Sequence, residues 1–212
     1  MKKREKMKIH CTKKLLAKLP ENKNVQTAAA QVVRNDLPDN IIAFPNSEIH
    51  QKDNFPKAER ENSPAANPIG DWHANLLTTQ RRQCIIFDHD KTRFALFISC
   101  LTKLYFLNLD FHFQDVLMNT LLKSGIEPEL IEKLPNHFSP LDFDSNCDRT
   151  VQGTMNRMAG DLKHMIEYDR LDITDVMPYS TSAWLSERPC MVKGVSDCLW
   201  PVKEMAKLLE NL

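Results

Sequence analysis

The chain has 212 residues, 42% hydrophobic and 26% charged, which is enough apolar material for one domain with a real core. Its 28 Lys and Arg balance 28 Asp and Glu, so no global field favours nucleic acid, a membrane surface or an acidic substrate. Its five glycines cannot be written as GxGxxG or as GxxxxGKS/T, which excludes a P-loop NTPase and a standard Rossmann dehydrogenase.

In chain order, residues 1–6 are a basic extension, and eight of the first eighteen residues are Lys or Arg. "MKIHC" (Met7–Cys11) reads as a short strand. Thr12 then caps a short helix with Leu15, Leu16 and Leu19 on one face, ended by Pro20. Residues 21–69 hold eight Asn and five Pro with no Gly, Trp or Tyr, and read as a flexible polar insertion. The core domain, begun at 7–20, resumes over 70–212.

"DWHANLLTT", "RRQCIIFDH" and "RFALFISCL" alternate like strands, and hairpin-length connections join them into an antiparallel meander. "CIIF" and "FALFI" are apolar on both faces, so layers are expected on both sides of the sheet. A helix with Phe113, Val116, Leu117 and Leu121 inward should close at Gly125 as a C′ glycine. "EPELIEKL" opens with the Pro of a short helix, and "FSPLDFD" suits an edge strand. The clearest helix, about Thr150–Tyr168, carries a Val151, Met155, Met158, Leu162, Ile166 stripe, with Asn146 or Asp148 as its cap. A last helix after Ser196 or Asp197 turns Val202, Met205, Leu208 and Leu209 inward. The expected fold is α+β: a mostly antiparallel sheet of three to five strands with about four or five helices.

Three blocks in this order resemble a bacterial family catalogued only as a domain of unknown function: "MKIHCTKKLL" (Met7–Leu16), "GDWHANLLTTQRRQCIIFDHDKTRFALFI" (Gly70–Ile98) and "DRTVQGTMNRMAGDLKHMI" (Asp148–Ile166). The insertion 21–69 is longer than that family's usual connection. The resemblance implies an architecture and a place to look for a site, but no reaction.

His73 and Asn75 are i and i+2 on a strand and share a face. With Arg81 or Arg82 of the next turn they could bind phosphate or carboxylate, with His73 as acid or base; the bland alternative is a polar face holding a loop. Gly153, Asn156 and Gly160 share a thin helix face that either packs closely on the sheet or lines a ligand groove read by Asn156. Arg149, at the start of that helix, adds an anion contact. "DHDKT" (Asp88–Thr92) reads as a charged hairpin tip rather than a metal site, and neither a metal nor a cofactor is expected. The six cysteines are far apart without a CxxC and read as reduced thiols. No apolar run approaches the ~20 residues of a membrane span, so a cytoplasmic chain without a membrane partner is expected.

Two functions follow. One is a non-catalytic intracellular module binding a protein or nucleic-acid partner. The other is a small hydrolase or transferase acting on a phosphorylated or nucleotide-like substrate through His73, Asn75, Arg81 or Arg82, and Asn156. The second requires His73, Asn75 and Asn156 to converge on one reachable pocket.

Overall fold

A computed structural model describes residues 6–20, 67–191 and 197–212, so the basic end up to residue 5 and nearly all of the 21–69 insertion lie outside the described residues. Five strands form one sheet in the order β4-β3-β2-β1-β5: β1 Met7–Cys11, β2 Trp72–Thr79, β3 Arg82–His89, β4 Ala95–Ile98 and β5 Leu141–Asp144. The meander β2-β3-β4 is antiparallel as expected. However, β1 runs parallel to both β2 and β5, which makes the sheet mixed rather than mostly antiparallel. Connections of two and five residues force antiparallel neighbours in the meander, whereas β1 and β5 reach the sheet through long connections that leave direction free.

Seven α-helices are present among the described residues, more than the four or five expected: α1 Lys13–Leu16, α2 Lys103–Leu107, α3 Leu109–Lys123, α4 Pro128–Ile131, α5 Arg149–Tyr168, α6 Pro178–Ser186 and α7 Pro201–Glu210. Gly125 follows α3 with φ +75°, as a C′ glycine should. Asp148 caps α5, accepting from the Thr150 and Val151 N–H groups. Trp200 stands at the N-cap of α7 with Pro201 at its first position, several residues later than Ser196 or Asp197.

Strand alternation divides the core. One face carries Trp72, Ala74, Leu76, Ile85, Phe87 and Leu96 against α3 and α7. Its centre is Phe113, edge-on to Trp72 and Phe87 with ring centroids 5.1 Å away in both cases. The other face carries Cys84, Ile86, Ala95 and Phe97 against the α5 stripe of Met155, Met158, Leu162 and Ile166. Burial on both faces is what the two apolar runs imply.

The hairpin between β2 and β3 turns through Gln80 (φ 47°) and Arg81 (φ 65°), a conformation that favours Gly or Asn. Tertiary bonds offset the strain: the Gln80 amide donates to Leu171 O at 2.9 Å and accepts from Ile173 N–H at 2.8 Å.

Helix α6 is the element that sequence periodicity misses. It has no apolar stripe because its inner residues include Thr181, Ser182 and Ser186, all buried. The serines bond the free edge of β4: Phe97 N–H donates to Ser182 Oγ at 2.8 Å and Ala95 N–H to Ser186 Oγ at 2.9 Å. Four helical residues rise about 6 Å and two strand residues about 6.6 Å, so an i, i+4 pair matches an i, i+2 pair. The edge is thus closed to further strands.

Replacing Ser182 or Ser186 with Ala leaves a buried strand N–H without its acceptor. Each variant should lose about 1–3 kcal/mol of unfolding free energy in urea titrations. Gly153 and Gly160 are exposed on α5, and a Cβ added at either meets nothing within 4 Å. Close packing on the sheet is therefore not their reason. Gly153→Ala and Gly160→Ala should each raise stability by up to about 1 kcal/mol in the same assay.

Candidate functional site

Strand register places four titratable residues side by side: Asp144 of β5, His10 of β1, His73 of β2 and Asp88 of β3. Their side chains share the α5 face of the sheet. The chain leaving β5 passes through residues 145–148 into α5, so the start of that helix lands on this row.

His73 is 2% exposed and accepts a 2.8 Å hydrogen bond from the Asp148 N–H at Nε2. With Nε2 accepting, the neutral ring must carry its proton on Nδ1. That nitrogen faces Asp90 Oδ1 at 3.7 Å and makes no hydrogen bond among the described residues. Burial, and then the charge of His10, lower the His73 pKa below the ordinary imidazole value.

His10 lies at the accessible end of the row, beside the more exposed Asp144. Its Nδ1 pairs with Asp144 Oδ1 at 2.7 Å, its Nε2 lies 4.0 Å from Asp71 Oδ2, and its ring centroid is 4.8 Å from that of His73. Burial acts to raise the Asp144 pKa, but hydrogen bonds from His10 and the Asn146 N–H outweigh it and hold the carboxyl below the usual range. A carboxylate that orients an imidazole in this way is a competent acid–base pair.

Asp88 is fully buried and neither of its carboxylate oxygens has a hydrogen-bond partner among the described residues. Burial pushes its pKa well above the carboxylate range, and Arg93 opposes this only in part. Arg93 is itself buried with Nε unpaired, while its other end donates to Asp90 O. Asp88 and His89 therefore belong to β3 rather than to the hairpin tip, where the "DHDKT" reading put them. His89 points to the opposite face, donating from Nε2 to Ile69 O at 2.7 Å and accepting at Nδ1 from the Thr92 N–H at 3.1 Å. Gly70 has φ +90°, and a Cβ there would sit 2.7 Å from His89 Nε2, so both conformation and space demand glycine.

The residues singled out by sequence are only partly brought together. Asn75 lies two residues along β2 from His73 and accepts from Thr12 Oγ1 at 3.0 Å. Arg149 is exposed at the start of α5, next to the cap. Arg81 and Arg82 sit at the far end of the hairpin, about 20 Å from His73 at ~3.3 Å per residue. Asn156 is exposed on the outer side of α5 rather than turned toward His73. His10, Asp144, Asp88 and Arg93 were not anticipated. The one available signal was a charged Asp88 ending a run that is otherwise apolar on both faces.

Among the described residues, no group of three or more His, Cys, Asp or Glu could hold a metal ion. All six cysteines are unpaired; burial pushes the Cys11 thiol up to about 12 and raises Cys84 and Cys190 as well.

A second feature lies on the helical surface. Tyr105 of α2 stacks on His112 of α3 with centroids 4.2 Å apart, and Phe111, 66% exposed, meets the edge of the same imidazole. Tyr179 of α6 joins them by donating to Asp115 Oδ2 at 2.7 Å.

The fold and this row define an α+β domain with a five-stranded mixed sheet layered between helices. A family model described as Domain of unknown function (DUF6933) matches residues 8–204, and the chain belongs to that family. No curated protein and no solved structure matches it.

The buried imidazoles make stability depend on pH. His89 has its pKa lowered to about 4 by burial. The unfolded chain takes up a proton near 6.5 that the folded chain refuses until about pH 4. The His89 contribution is therefore complete above pH 6.5 and lost as pH falls toward 4, amounting to about 3 kcal/mol. Urea midpoints should fall between pH 7 and pH 5, and His89→Gln should flatten that fall.

Proposed function

We propose that this chain is a non-catalytic intracellular module that docks a protein partner through the Tyr105–Phe111–His112–Tyr179 surface. The observation that carries this reading is Phe111: a large aromatic side chain two-thirds exposed, backed by a stacked pair and a hydrogen-bonded Tyr. Leu104 extends the apolar surface on α2 and is 40% exposed. Clustered aromatics with a fixed backing lose little entropy on binding and are over-represented at interface hot spots.

Other features support it. The residues the catalytic alternative needs do not converge, since Asn156, Arg81 and Arg82 lie away from His73. Buried thiols of raised pKa are poor nucleophiles. Six unpaired cysteines fit a reducing, cytoplasmic setting. No described helix is long and apolar enough to cross a membrane. A protein partner is favoured over nucleic acid because the patch is aromatic and carries the carboxylate of Asp115 in place of a run of cations.

A photo-crosslinking residue in place of Phe111 should give a discrete protein adduct in the source cells. The same residue in place of exposed Lys163 should give none, and the Phe111 adduct should vanish in a Tyr105→Ser, Tyr179→Ser background of unchanged melting temperature. Equal labelling at both positions would sink the docking reading. Adducts to nucleic acid that fade steeply with salt would replace it with the nucleic-acid version.

A further inference from the structure

A cavity of about 330 Å³ lies where the chain beyond α1, the start of β3 and α2 meet. Lys18 and Pro20 line it from the α1 side, Gln83 from β3, and Lys103, Phe106 and Leu107 from α2. Backbone bonds set these distant segments against one another. Thr12 N–H donates to Ala74 O at 3.1 Å, which seats α1 beside β2. The chain leaving β4 turns at Cys100 (φ 54°), and Leu101 N–H donates to Gln83 O at 2.7 Å, which brings the start of α2 to the start of β3.

The lining is divided in chemistry. Lys103, Phe106 and Leu107 stand at i, i+3 and i+4 and so share one face of α2. Phe106, 7% exposed, forms an apolar wall with Leu107 and Pro20. The polar half is Gln83 and two lysines from separate elements. Neither Lys18 nor Lys103 has an ion-pair partner among the described residues, and no carboxylate is among the described residues that line the cavity. Two uncompensated cations therefore face a space with an apolar wall. Small-ligand sites begin at roughly this size and pair apolar walls with a few polar groups that fix orientation. A lysine suits the rim of such a site, because its stem lies along apolar surface while its ammonium stays in water.

We propose that this cavity binds a small carboxylic acid with an apolar body. The body lies against Phe106, Leu107 and Pro20, Lys18 and Lys103 hold the carboxylate, and the Gln83 amide donates to it. A singly charged carboxylate fits better than a phosphate, because a dianion costs more to bring out of water against an apolar wall. The aromatic docking surface uses Leu104 and Tyr105 of α2, which are not on the face that lines the cavity, so the two readings stand or fall separately.

Calorimetric titration of the full chain with 2-naphthoate and with octanoate provides the test. At least one should bind at a single saturable site. The matching neutral amide, which keeps the body, and acetate, which keeps the charge, should each bind at least tenfold more weakly. Lys18→Gln and Lys103→Gln should each weaken binding about threefold and the double variant about tenfold. Both lysines are exposed, so the melting temperature of the unliganded chain should not change. Phe111→Ser, on the aromatic surface, should bind as the unaltered chain does. No saturable binding of either acid, an amide as tight as its acid, unchanged affinity in the double lysine variant, or loss of binding in Phe111→Ser would overturn the proposal.

Discussion

One backbone-to-ring hydrogen bond, from the Asp148 N–H to His73 Nε2, organises this molecule's polar interior. It joins the middle of the sheet to the first turn of the longest helix, so α5 enters at a fixed point and in a fixed direction. It also sets the tautomer: with Nε2 accepting, the His73 proton sits on Nδ1 and faces Asp90. Protonating Nε2 would place two N–H groups head to head. The bond acts in the same sense as burial, which lowers the His73 pKa, while the Asp148 carboxylate caps α5.

Around that bond the row divides by exposure. His10 and Asp144 form an oriented acid–base pair at the accessible end, while at the buried end the Asp88 carboxyl and the Arg93 Nε have no hydrogen-bond partner among the described residues. Burial acts in opposite senses on the two residue types, lowering His73 and raising Asp88, and both shifts favour neutral groups inside. The aromatic surface on α2 and α3 lies apart from this interior.

The sheet owes its closure to a less familiar device. Ser182 and Ser186 serve as the missing neighbour of β4, and the near-equal rise of four helical and two strand residues makes the match possible. Polar residues do here what an apolar stripe does on α5. A helix built this way leaves little amphipathic signature, which is why "PYSTSAWLS" is hard to recognise as a core element before its partner is known.

The amino-acid sequence by itself determined the local elements whose cause is local. The β2-β3-β4 meander is legible from alternation and short connections, the α5 stripe from its 3.6-residue period, its cap as Asn146 or Asp148, and the end of α3 from Gly125. Of the site, His73 and Asn75 were legible as one strand face. Only the tertiary structure decided that β1 lies parallel between β2 and β5, because long connections do not encode direction. Only it brought Asp144, His10, His73 and Asp88 into one row and sent Arg81, Arg82 and Asn156 elsewhere. The physical reason is the same in each case: residues distant in sequence become neighbours through strand register, and register depends on pairings that no single segment carries.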